Sequence, residues 1–128
     1  MTRGLADTSI FIATETGRAL DVSRLPDEIA ISIITIGELR AGVLAAADVN
    51  IRDRRLSTLM RALELQPIPV DESVADAWAR LRILLRDRGL RMPVNDSWIA
   101  ATALALGVPI ITQDAGYLEL ADLDVVRV

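Results

Sequence analysis

Short apolar runs, too brief for helices, alternate along this chain with longer segments whose apolar residues recur every three to four positions. That alternation restricts the fold more than any other feature. Residues 4–6, 29–34 and 108–112 are the strand runs, with 67–70 and 125–128 as weaker candidates. Residues 35–47, 51–65, 71–88 and 95–106 carry helical periodicity, and 71–88 does so most clearly. There Val74, Ala77, Trp78, Leu81, Leu84 and Leu85 share one face, and Gly89 follows as a stop. Thr8 and Ser9 begin a short helix over 10–13. A further short helix fits between Gly17 and Pro26. Strand–helix alternation of this kind predicts an α/β fold with a mostly parallel sheet. At 128 residues the chain fits a single domain over 1–128.

Composition removes whole classes of chemistry. There is no cysteine and no histidine, and every basic residue is arginine. Thiol nucleophiles, disulfides, His-ligated zinc, Ser-His-Asp catalysis, Schiff bases and the P-loop lysine are all excluded. The net charge of −4 does not suit a protein that coats nucleic acid with its whole surface, so any such contact is a local patch. Aromatic residues are only 3%, so the core is built from Leu, Ile, Val and Ala. No charge-free apolar stretch reaches the roughly 18 residues of a membrane span, and no leader pattern precedes Asp7. A cytoplasmic location is expected.

Of the eighteen acids, four stand where surface acids do not belong. Asp7 ends the first apolar run. Glu38 lies one turn into the helix after the Ile-rich run. Asp96 opens the 95–106 helix, and Asp114 follows the last strong strand run. In open parallel sheets, ligands gather outside the carboxyl ends of the strands. Asp96 follows no clear strand, so its place beside the others depends on helix packing. Each acid also has a purely structural reading. Thr35-x-x-Glu38 has capping-box spacing, Asp7 and Asp96 are good N-cap types, and Asp114-Ala115-Gly116 reads as a turn. Thr8 and Thr35 suit the same caps, which makes the acids surplus to that role.

Convergence of the four would be costly. Two unit charges 4 Å apart repel by about 4 kcal/mol at an effective dielectric near 20. A domain has only about 5–15 kcal/mol of stability in all. A counter-charge is needed, either arginine or a metal ion. An all-oxygen donor set suits Mg²⁺ or Mn²⁺, ions that commonly act on phosphates.

The ordered pieces resemble the PIN-domain nucleases, and among them the VapC toxins of bacterial toxin–antitoxin pairs. They are Asp7-Thr8-Ser9, Thr35-x-x-Glu38-Leu39-x-x-Gly42, Asp96-x-x-Ile99-Ala100-Ala101-x-Ala103 and Thr112-x-Asp114-x-x-Tyr117. The resemblance implies a three-layer α/β/α sandwich around a mostly parallel sheet. It implies Mg²⁺ or Mn²⁺ held by Asp7, Asp96 and Asp114, with Glu38 binding metal or orienting water. Thr112 and Ser9 would support the carboxylates. The implied activity is cleavage of structured RNA, of the tRNA or ribosomal RNA class, by a homodimer that a cognate VapB-like antitoxin covers. Family members often carry a basic residue or His just after the fourth acid, where this chain has Ala115 and Gly116.

Arg80, Arg82, Arg86, Arg88 and Arg91 crowd the approach to Asp96. Arg86, Arg88 and Arg91 are candidates for RNA phosphates, against the alternative of a solvated helix face near Asp76 and Asp87. A second cluster, Arg52, Arg54, Arg55 and Arg61, suits solvent or antitoxin contact. Trp78, Trp98 and Phe11 read as core or interface residues, and Tyr117 as packing behind the fourth acid. Competing functions are a PIN-fold module without catalysis and a DNA-directed flap-type nuclease, for which the chain is short. A receiver domain would need a lysine, a haloacid-dehalogenase-like phosphatase Asp-x-Asp, and a Rossmann enzyme a glycine fingerprint. None is present.

Overall fold

The computed structural model describes residues 2–117, 119–120 and 122–128. In chain order the elements are β1 (Arg3–Ala6), α1 (Thr8–Thr16), a 3₁₀ turn (Val22–Arg24), β2 (Glu28–Ile31), α2 (Ile33–Ala45), α3 (Val49–Leu63), α4 (Glu72–Asp87), α5 (Val94–Leu106), β3 (Ile110–Thr112) and β4 (Val125–Arg127). The strands form one sheet in the order β2-β1-β3-β4, and every pairing is parallel. Ala6 pairs with Ile31 on one side and Ile111 on the other. The carboxyl ends of these three strands therefore open at one edge.

Side chains alternate across a strand, and here the alternation builds two cores. Leu5, Ile110 and Val125 face Leu81 and Leu85 of α4 and Ile99 and Ala103 of α5. Ala6, Ile31 and Ile111 face Ile10 of α1, Ile36 and Leu39 of α2, and Leu59 of α3. Helices cover both faces, which gives the three-layer sandwich. Phe11 packs against the second core, as expected. The close approach of β1 to β3 requires a glycine: a Cβ on Gly4 would lie 2.7 Å from Ile111 Cγ1.

Several local expectations need correction. The β-branched run at 29–34 breaks at Ser32, whose hydroxyl accepts the Ile34 N–H and starts α2 two residues earlier than its periodicity indicates. A cap here outweighs strand propensity. Residues 67–70 do not form a strand. Ile68 makes one bridge, with its N–H donating to Ile31 O and its C=O accepting from Ile33 N, and Pro67 and Pro69 have no N–H to extend it. The first helix runs on to Thr16 and ends at Gly17, whose φ of 75° favours glycine. No helix among the described residues is long and apolar enough to cross a membrane.

Candidate active site

Asp7 stands at the carboxyl end of β1 and caps α1, accepting the Ser9 N–H at 3.1 Å. The capping role falls to this acid and not to Thr8, so Asp7 is not surplus to the helix. Its carboxylate does more than cap. It also accepts the Ser9 hydroxyl at 2.5 Å and the Thr112 hydroxyl at 2.6 Å, and it is only 3% exposed. Burial raises its pKa above the usual carboxylate value, against the pull of the Ser9 and Thr112 hydrogen bonds.

The other three acids reach the same edge from separate elements. Glu38 lies in the second turn of α2, and the capping box with Thr35 does not form, because Ser32 is the cap. Instead Thr8 Oγ1 donates to Glu38 Oε1 at 2.7 Å and sits 3.1 Å from Thr35 Oγ1. Asp96 is not a cap either. Pro93 is the N-cap of α5, and Asp96 occupies the first turn. Asp114 does form the expected turn, its Oδ1 accepting the Gly116 N–H at 2.8 Å, while its own N–H donates to Thr112 Oγ1 at 2.8 Å.

Charge ties the four together. Asp96 has its pKa pushed up to about 6, first by burial and then by the negative charges of Asp114, Glu38 and Asp7. Among the described residues no ion pair reaches any of the four. Equally, no three acidic side chains among them lie close enough together to hold a metal ion. The acids share an electric field without yet forming a coordination shell. Two clefts meet at Glu38, one of about 370 Å³ with Thr8, Leu39 and Arg55 in its wall, the other with Ile34 and Asn95. A separate groove of about 410 Å³ between α4 and α5 contains none of the acids.

Family and site meet at this geometry. The PIN-domain family profile matches residues 5–123, a span that holds all four acids. The chain belongs to the VapC family of PIN-domain proteins. It is 48% identical to ribonuclease VapC5 of Mycobacterium tuberculosis over 98% of this chain and 95% of that one. Toxin FitB of Neisseria gonorrhoeae is 31% identical over 80% of this chain and 77% of its own length. Among solved structures, a VapBC-5 toxin–antitoxin system from M. tuberculosis matches with a TM-score of 0.91 and 43% identity, covering 100% of both chains.

The arginine candidates divide. Arg86 is held by Asp87 at 3.1 Å and Arg80 by Asp76 at 2.9 Å, whereas Arg88 and Arg91 enter no ion pair among the described residues. Arg82, Arg86 and Arg91 line a polar hollow that reaches Ser97, beside Asp96. In the second cluster, Arg52 and Arg55 donate to Ala46 O and Gly42 O, joining α3 to α2. Trp78 and Trp98 stack face to face at 4.3 Å, half-buried, and Trp78 Nε1 donates to Ser97 Oγ at 3.0 Å. Sequence reasoning missed Thr8 as the partner of Glu38, and Gln113, whose N–H donates to Ser9 Oγ at 2.9 Å. Their adjacency to Asp7 and to Thr112 and Asp114 was the available signal.

Proposed function

We propose that this chain is a Mg²⁺- or Mn²⁺-dependent endoribonuclease toxin that cuts structured RNA, of the tRNA or ribosomal RNA class. The observation that carries this reading is four carboxylates that share one electrostatic field and enter no ion pair among the described residues. The ribonuclease and toxin names of its relatives support it.

The donor set fits a hard cation, since it is all oxygen, and hydroxyls instead of arginine hold two of its members, Asp7 and Glu38. Asp7, Asp96 and Asp114 would hold the ion, with Glu38 beside them. When bound, such an ion lowers the pKa of a water molecule and stabilises a departing oxygen. The chain's own contribution is placement. Thr112 fixes Asp7 and the Asp114 backbone together, and Ser9 fixes the other oxygen of Asp7. Thr8 occupies Glu38 Oε1, leaving Oε2 to orient the attacking water and accept its proton. Arg88 and Arg91 would hold RNA phosphates beside the site. A VapB-like antitoxin partner, supported by the toxin–antitoxin system among its structural neighbours, and a homodimer complete the proposal.

The test is incubation of the purified, antitoxin-free chain with total cellular RNA and Mg²⁺ or Mn²⁺, beside Asp7→Asn and a chelator control. Discrete fragments that vanish in both controls support the proposal. Cleavage of DNA alone, or no cleavage by a folded chain that binds metal, overturns it.

A further inference from the structure

Three of the four acids are held by a side-chain hydrogen bond. Asp7 has Ser9 and Thr112, Glu38 has Thr8, and Asp114 has the Gly116 N–H. Asp96 has no hydrogen bond to its carboxylate among the described residues. The same region contains a donor in the complementary condition. Tyr117 is 2% exposed, and its Oη is the buried side-chain polar atom left without a partner among the described residues. An unsatisfied buried hydroxyl costs about 1–3 kcal/mol, and phenylalanine would fill the same place among Leu5, Ile99 and Ile110 without that cost. The hydroxyl lies within the field of all four acids, and its effect on Asp96 is to favour the charged form, although no hydrogen bond between the two is closed.

We propose that Tyr117 is a positioning residue for the cation site, its hydroxyl donating to Asp96 when a divalent ion draws the carboxylates together. The inference rests on the metal-binding reading above. It explains why a costly hydroxyl sits behind the acids, and it supplies the one carboxylate that lacks a fixed orientation. Tyr117 touches neither ion nor substrate in this scheme. It acts through Asp96.

The experiment compares Mn²⁺ and Mg²⁺ binding to the folded chain, Tyr117→Phe and Asp7→Asn by titration calorimetry, with thermal melts of each without metal. The expected result is a metal-free Tyr117→Phe at least as stable as the parent, but binding Mn²⁺ about tenfold more weakly, the worth of one hydrogen bond to a charged group. A purely structural hydroxyl would move stability and leave affinity alone. Equal Mn²⁺ affinity in parent and Tyr117→Phe overturns the inference and spares the metal site. A parent chain that binds neither ion overturns both. Tyr117 is the sole tyrosine, so 3-fluorotyrosine gives one ¹⁹F resonance as a second readout on the parent chain. It should shift and saturate with Mg²⁺, and a resonance indifferent to Mg²⁺ counts against the role.

Discussion

The Thr112 hydroxyl donates to Asp7 Oδ2 at 2.6 Å and accepts the Asp114 N–H at 2.8 Å, so one side chain fastens two acids from opposite ends of the chain. Thr112 is fully buried, and valine matches its shape while leaving the Asp7 oxygen unsatisfied. Thr112→Val should cost about 1–3 kcal/mol in a denaturant titration and reduce RNA cleavage more than tenfold. Thr112→Ser keeps the hydroxyl and should retain most activity. Equal activity in the valine variant would show that the clamp serves folding alone.

Asp96 and Asp7 both have pKa values raised in the folded state, chiefly by burial. The folded chain then binds protons more tightly than the unfolded chain. Metal-free stability from these groups is greatest below the ordinary carboxylate pKa and is lost as pH rises toward about 6. Asp96→Asn should therefore melt higher than the parent at pH 7 without metal, with the gap closing as pH falls below 4. The same variant should lose cleavage. A melt difference independent of pH would remove the electrostatic explanation.

Thr8 holds Glu38 from a neighbouring helix. Thr8→Val should lower the cleavage rate about tenfold with less than about 1 kcal/mol change in stability. Glu38→Gln should lower it a hundredfold or more, as expected on removing a proton acceptor. Single-turnover cleavage of a defined RNA separates the two. If Thr8→Val cleaves at the parent rate, Glu38 does not depend on that hydrogen bond.

Arg86 is engaged by Asp87, whereas Arg91 and Arg88 enter no ion pair among the described residues. Arg91→Ala should weaken RNA binding and reduce the dependence of log K on log salt by about 0.7–0.9, the share of one phosphate contact. Arg86→Ala should do less. The check is a filter-binding series across salt concentrations with a catalytically silent Asp7→Asn background, and an unchanged slope in Arg91→Ala would assign the arginines to the solvated surface.

Much of this architecture was legible in the residues. The periodicity of α4 marked that helix to within a residue at each end, and the strand runs before Asp7, Glu38 and Asp114 pointed those three acids to one sheet edge, while the place of Asp96 depended on helix packing. What stayed hidden depended on competition between local signals. Ser32 inside a β-branched run decides where β2 stops, and nothing in the run itself ranks a cap above strand propensity. Pro67 and Pro69 limit Ile68 to a single bridge. Thr8 looked like a cap because its adjacency to Asp7 was visible, while its reach to Glu38, thirty positions away, is a product of helix packing. Tyr117 read correctly as a packing residue, but its orphaned hydroxyl appears only once the fold surrounds it.

The bond between Asp7 and Thr112 spans 105 positions. Synthesis proceeds from the N-terminus, so a growing chain carries Asp7 from the outset but has no Thr112 or Asp114 until nearly all the described elements have been made. The sheet cannot place β3 beside β1 before then, and contacts this distant in sequence are slow to form. The carboxylate arrangement on which the proposed activity rests therefore cannot form until β3 has been made, however early Asp7 appears.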